Sequence, residues 1–197
     1  MATYGDLSLA NKVLKKAQLH DVVIMYSKLG DWKKLKLVTF TDSSFRNAEE
    51  STKSVGGRIA MITNDSNECN PIVWKSKTIQ QVCKSVKSAE TRSLDLGMDE
   101  SIYISRTLHE IYTGSTGGHI PIHMKIDSKT LMDSINSTKQ VDDKTIHYIV
   151  AWIKEQRENK LVETIDWISN DEMLADIFTK KNVKSDNIWR VVTEGYL

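Results

Sequence analysis

Leu35-Lys36-Leu37-Val38-Thr39-Phe40-Thr41-Asp42-Ser43 is an apolar, β-branched run that stops on a carboxylate and a hydroxyl. Its composition predicts a strand over residues 35–42. Ile120-Pro121-Ile122-His123-Met124-Lys125-Ile126-Asp127-Ser128 repeats the pattern and predicts a strand over 120–127. An Asp–Ser pair at the ends of two strands gains meaning if those strands are neighbours. The crevice at strand carboxyl ends is the usual ligand site of an open α/β sheet. Taken alone, each aspartate fits a turn or a helix N-cap as well as it fits a ligand.

A third carboxylate, Glu90, is in phase with the inward stripe Leu94, Met98, Ser101, Ile104, Leu108 and Ile111 of a helix predicted over 87–113. A carboxylate rarely faces a core without a partner. The other reading of Glu90 is a partly solvated first-turn glutamate favoured by the helix dipole. Asp176 lies in Asn170-Asp171-Glu172-Met173-Leu174-Ala175-Asp176-Ile177, where Asp171 and Glu172 could serve equally. Asp95, Asp99 and Glu100 fall mostly off the helix stripe and read as a solvated face. Grouped carboxylates of this kind suggest hard divalent cations, and paired cations suggest phosphodiester chemistry.

The remaining chain supplies a mixed α/β pattern. Residues 5–19 read as an amphipathic helix, and Val22-Val23-Ile24 as a short β-branched run. Residues 27–34 read as a linker, with a boundary near 33. Strands are predicted at 55–63 and 71–76, joined by a polar Asn64-Asp65-Ser66-Asn67 connection suited to antiparallel pairing. Gly114 and Gly117-Gly118 end the long helix, and Gly56-Gly57 reads as a bulge. Helices follow at 129–136 and 143–159, the latter with Ile146, Ile149, Val150 and Ile153 inward. A strand at 161–168 and a closing helix from about 171 complete the set.

Bulk properties narrow the function classes. Lys plus Arg number 27 against 26 Asp plus Glu in 197 residues. That balance excludes a strongly basic nucleic-acid-coating protein, but not a local basic face. Cys69 and Cys83 have no metal-ligand spacing and read as free thiols of a reducing compartment. No stretch approaches transmembrane length and no signal-peptide pattern opens the chain. The expectation is a soluble, intracellular protein, cytoplasmic or nuclear, with no membrane partner. There is no HExxH, Walker loop or serine nucleophile elbow.

The order Asp–Glu–Asp–Asp resembles ribonuclease H. More closely, residues 36–181 resemble the ribonuclease H domain of Ty1/copia-type retroelement polyproteins, which follows the reverse transcriptase. Thr41-Asp42-Ser43-Ser44-Phe45 resembles the family's opening strand. Ser51-Thr52-Lys53-Ser54-Val55-Gly56-Gly57 is similar to its Lys-Ser-Thr-x-Gly loop, and Ile72-Val73-Trp74-Lys75-Ser76-Lys77 to its Trp-Ser-Ser-Lys strand. Ser88-Ala89-Glu90 matches Ser-Thr-Glu, and Ile126-Asp127-Ser128 fits the second aspartate strand. Leu174-Ala175-Asp176-Ile177-Phe178-Thr179-Lys180 is similar to Leu-Ala-Asp-x-x-Thr-Lys, the most specific match, and selects Asp176 over its acidic neighbours.

The resemblance implies a five-stranded mixed sheet flanked by helices, a ribonuclease H-like fold. Residues 1–34 would be an extension resembling the end of a polymerase or connection region, 35–182 the catalytic domain and 183–197 a tail. The implied reaction is hydrolysis of the RNA strand of an RNA–DNA hybrid, leaving a 3′-hydroxyl and a 5′-phosphate. Two Mg²⁺ ions, with Mn²⁺ as a substitute, would be held by Asp42, Glu90, Asp127 and Asp176. Asp42 would be shared, Glu90 and Asp127 would serve the leaving-group side, and Asp176 the water side. Ser43, Ser44 and Ser128 would contact 2′-hydroxyls, and Lys53, Lys77 and Lys87, with Lys75 and Lys84, would track phosphates. Any one of these lysines also fits an ordinary solvated surface. The partner would be the reverse transcriptase domain of the same polyprotein, and the setting of an active element a virus-like particle.

Departures exist. Asp127-Ser128 stands where the family often has Asp-Asn, Thr91-Arg92 follows the helix glutamate where the family has a further acid, and no histidine occurs between residues 148 and 175. A non-catalytic binding module of this fold, a transposase-type core and a host protein derived from a retroelement are the rival readings. Loss of acids would mark the first, and a glutamate placed last would mark the second.

Overall fold

The structure is a computed structural model that describes residues 3–19, 23–46, 53–181, 183 and 186–197. Ser51 and Thr52 of the glycine loop, and Val22 of the β-branched run, lie outside the described residues. Five strands, β1 (Lys36–Ser44), β2 (Val55–Thr63), β3 (Cys69–Thr78), β4 (Ile122–Ile126) and β5 (Thr164–Trp167), form one sheet in the order β3-β2-β1-β4-β5. β2 pairs antiparallel with β1 and β3, whereas β4 is parallel to β1 and β5. The mixed five-stranded sheet expected from the resemblance is therefore present. β1 lies at its centre and is buried along almost its whole length, because helices or turns cover both faces.

Residue parity along β1 divides two cores. Leu37 joins Leu94, Met98, Met124, Leu131, Val150 and Ile153 under α2 (Val86–Thr113), α3 (Lys129–Asn136) and α4 (His147–Glu158). Val38 and Phe40 face the other way, onto Met173, Leu174, Ile188 and Val191. The stretch read as a tail thus carries α5 (Asp186–Glu194), whose Ile188, Val191 and Val192 are buried. The closing helix expected from residue 171 is instead two 3₁₀ turns, Asn170–Glu172 and Leu174–Phe178. Ile111, expected on the inward stripe of α2, is exposed near the helix's end.

The stretch read as a linker, residues 27–34, and Met25 just before it also run against this body. Met25 N–H donates to Val192 O at 2.9 Å, Ser27 exchanges two hydrogen bonds with the Asn70 side chain, and Leu29 and Trp32 pack against Leu35, Ile62 and Ile120. α1 (Tyr4–Leu19) is different: none of its residues is buried, and Leu7, Leu9, Val13 and Leu14 are all exposed. Among the described residues no helix is long and apolar enough to cross a membrane. Cys69 and Cys83 are both buried free thiols.

Gly57 is not at a bulge. It pairs in register with Asp42 on one side and Ser76 on the other, and the irregularity of β2 falls at Ala60/Met61. What Gly57 permits is close passage of the 3₁₀ turn Leu174–Phe178 and its exit. A Cβ there would lie 2.6 Å from Thr179 Cγ2, 2.8 Å from Phe178 Cβ and 3.0 Å from Ala175 O. The backbone oxygen and Cβ cannot swing aside as a flexible side chain could. Gly57→Ala is therefore expected to destabilise the fold by about 1–3 kcal/mol, read by urea unfolding; an unchanged midpoint would show that the turn yields without cost.

Candidate metal centre

β1 and β4 are parallel neighbours, so their carboxyl ends bring Asp42 and Asp127 to the same edge of the sheet. Neither aspartate takes the turn or cap role open to it in sequence. Asp42 lies inside β1, paired with Gly57, and Ser128 rather than Asp127 caps α3 by accepting from Leu131 N–H. The α2 cap is Ser85, which leaves Glu90 free to project from the buried stripe toward β1. One carboxylate oxygen from each of Asp42, Glu90 and Asp127 lies within 4.8 Å of the others. Asp42 is 1% and Glu90 7% exposed, so neither is neutralised by bulk water.

Asp176 is not one of these three. It stands beside them in the middle of the crossing 3₁₀ turn, 8% exposed, and its Oδ1 accepts from Lys180 Nζ at 2.7 Å. The same ammonium is 3.7 Å from Asp42 Oδ1. Thr179 Oγ1 donates to Asp42 Oδ2. Ser43 Oγ donates to Glu90 Oε1 at 2.9 Å, and Ser93 Oγ to the Asp42 carbonyl at 2.7 Å. The carboxylates are therefore oriented by hydroxyls on both flanks.

Burial dominates their acidity. It pushes Asp42 up to about 7, offset by the Thr179 hydrogen bond and Lys180 and reinforced by Asp127 and Asp176. Burial, then the Asp42 charge, pushes Glu90 up to about 8 despite the Ser43 hydrogen bond. Asp127 is raised too, chiefly by burial. Carboxylates that resist ionisation because they are close and dry are the ones a cation stabilises most. An all-oxygen set of this kind fits a hard divalent cation, with no thiolate or imidazole to favour a softer one.

The serines and lysines expected to touch a substrate have mixed placements. Ser43 is committed to Glu90 and acts on the carboxylates. Ser44 Oγ is buried without a partner among the described residues, and Ser128 serves α3. Lys53 donates to Gln80 Oε1 at 3.3 Å, Lys77 and Lys84 are exposed, and Lys87 is half-buried in the first turn of α2. Lys75 is bound to Glu100. Glu100 itself, read as part of a solvated face, is paired with both Lys75 and Arg58, because β2 and β3 bring those cations under α2.

Sequence reasoning missed Trp167 and Lys129. Trp167 Nε1–H donates to the Asp127 carbonyl at 2.8 Å, and Lys129 Nζ lies 4.5 Å from the centroid of the indole. The signal, an aromatic ending a strand that neighbours an aspartate strand, needs the β4–β5 pairing to be seen.

No family model matches the chain, and no curated protein matches it. Solved structures do match. LC11-RNase H1, isolated from compost by a metagenomic approach, superposes with a TM-score of 0.52 at 15% identity over 73% of this chain and 91% of that one. LC11-RNase H1 in complex with an RNA/DNA hybrid gives 0.50 at 13% identity over 72% and 92%. The PFV RNase H domain in solution gives 0.47 at 14% identity over 82% and 91%. The fold of this chain is ribonuclease H-like.

The raised acidities have a pH consequence. Near neutrality Asp42 and Glu90 hold protons in the fold that the unfolded chain has already released, so the fold is favoured by low pH. Their contribution is complete below about pH 4 and is lost as pH rises through about 7 and 8. In EDTA the melting temperature is expected to fall across that window, and Glu90→Gln to flatten the fall. A melting temperature that rises between pH 5 and 8 in EDTA would contradict the assignment.

Proposed function

We propose that the chain is a metal-dependent endoribonuclease that hydrolyses the RNA strand of RNA–DNA hybrids. The carrying observation is the trio Asp42, Glu90 and Asp127, converging within 4.8 Å at the carboxyl ends of two parallel strands of a ribonuclease H-like sheet. The solved complex of LC11-RNase H1 with an RNA/DNA hybrid supports the substrate class.

In this reading Asp42, Glu90 and Asp127 hold divalent cations, Mg²⁺ or Mn²⁺, with Asp176 completing a second position. A divalent cation held by these carboxylates would supply Lewis acidity toward the phosphodiester and toward the attacking water. The chain's own groups prepare the site. Ser43 and Thr179 fix the carboxylates of Glu90 and Asp42, and Trp167 holds the backbone at Asp127. The exposed Trp167 face, with Lys129 over it, offers a cationic platform to a sugar–phosphate strand. Discrimination for RNA rests on contacts to 2′-hydroxyls and groove shape rather than base edges. The products are a 3′-hydroxyl and a 5′-phosphate.

The setting we propose is reverse transcription in a retroelement, with the polymerase domain of the same polyprotein as partner. The uncovered apolar residues of α1 support it, since Leu7, Leu9, Val13 and Leu14 have no core of their own.

Cleavage of a labelled RNA–DNA hybrid with Mg²⁺ tests the activity, with single-stranded RNA and duplex DNA as controls. Asp127→Asn is expected to lower the rate by about 100-fold or more, since even outer partners of a metal site cost up to about 100-fold. Hybrid binding without any wild-type cleavage would sink the enzymatic reading and leave a binding module.

A further inference from the structure

Both carboxylate oxygens of Asp42 face groups of the chain itself. Oδ2 accepts from Thr179 Oγ1, and Oδ1 lies 3.7 Å from the Lys180 ammonium. That ammonium is anchored on Asp176 Oδ1 at 2.7 Å, four residues away in sequence. Its charge also reaches Asp127 and Glu90, so a single cation acts on all four carboxylates. Among the described residues, the ion pairs of Asp42 and Asp176 both come from Lys180. An ammonium is a compact point charge with three donors, the closest mimic of a metal ion that a side chain offers.

We propose that Lys180 is a resident counter-cation: it holds Asp42 and Asp176 together without metal and gives up that position when a divalent cation binds. The proposal rests on reading the carboxylates as a metal centre. Three features support displacement. A divalent cation brings twice the charge and approaches oxygen more closely than an ammonium can. The two cannot both be served by the same oxygens at full strength. Thr179 is buried, whereas the Lys180 side chain is 36% exposed on a flexible stem, so Lys180 is the group with a way out. Its position immediately after Thr179 keeps it attached at the rim once released. Lys180 is thus a positioning residue whose presence lowers apparent metal affinity while keeping the metal-free site assembled.

Two measurements test this. Amine-labelling of the wild-type chain, read by mass spectrometry, compares Lys180 with exposed Lys77 in EDTA and in saturating MgCl₂. Lys180 is expected to label several-fold faster with Mg²⁺, with Lys77 unchanged. Calorimetric titration with MnCl₂ compares wild type with Lys180→Met, which is expected to bind Mn²⁺ about fivefold more tightly, the size set by one half-exposed ion pair, and to melt at lower temperature in EDTA. Metal binding by wild type with Lys180 labelling unchanged or slowed would overturn the proposal and leave the metal centre standing. Absence of Mg²⁺ and Mn²⁺ binding in both chains would overturn the metal-centre reading and the proposal together.

Discussion

Carboxylates that share a dry site repel one another, and that repulsion is the constraint around which this end of the molecule is arranged. Asp42 and Glu90 are almost fully removed from water, and Asp127 and Asp176 crowd them. Such a cluster survives folding only if protons, donors or cations offset the charge. The chain supplies all three: protons that Asp42 and Glu90 hold to higher pH than usual, the hydroxyls of Ser43 and Thr179, and the ammonium of Lys180. A site that its own fold stabilises only in part is one that gains from a divalent cation.

The architecture exists to deliver these groups to one place. β1 must be central and β4 must run parallel beside it, or Asp42 and Asp127 would end at opposite edges. α2 must start near the same edge for Glu90 to reach inward. The 3₁₀ turn Leu174–Phe178 must cross β2 tightly, which Gly57 allows, for Thr179 and Lys180 to meet Asp42. The buried faces of β1 tie these requirements together, since Leu37 sits in one core and Val38 and Phe40 in the other. A register slip of one residue would exchange the cores and turn Asp42 away from its partners.

Much of this was legible in the residues. The expected bounds of β2 and α3 coincide with the observed ones, and α2 begins one residue early. Asp42, Glu90 and Asp127 could be singled out because a carboxylate ending an apolar strand, or lying on an apolar helix stripe, breaks the local pattern. The illegible parts depend on chain segments far apart in sequence. Glu100 looked solvated until Arg58 and Lys75 were brought under it. Trp167 gained a role only through the β4–β5 pairing. α5 was overlooked because it is short, and its Ile188, Val191 and Val192 have a face to cover only once Val38 and Phe40 are placed. Thr179 and Lys180 were visible as part of a motif, but the contact of Thr179 with Asp42 spans 137 residues, and Lys180 reaches Asp42 from the next position.

The most direct measurement is a crystal structure of the protein soaked in MnCl₂, with anomalous scattering used to locate the metal. Mn²⁺ is expected to be bound by Asp42, Glu90 and Asp127, with the Lys180 ammonium moved off Asp42. Manganese elsewhere, with the three carboxylates still converged and free of metal, would contradict it.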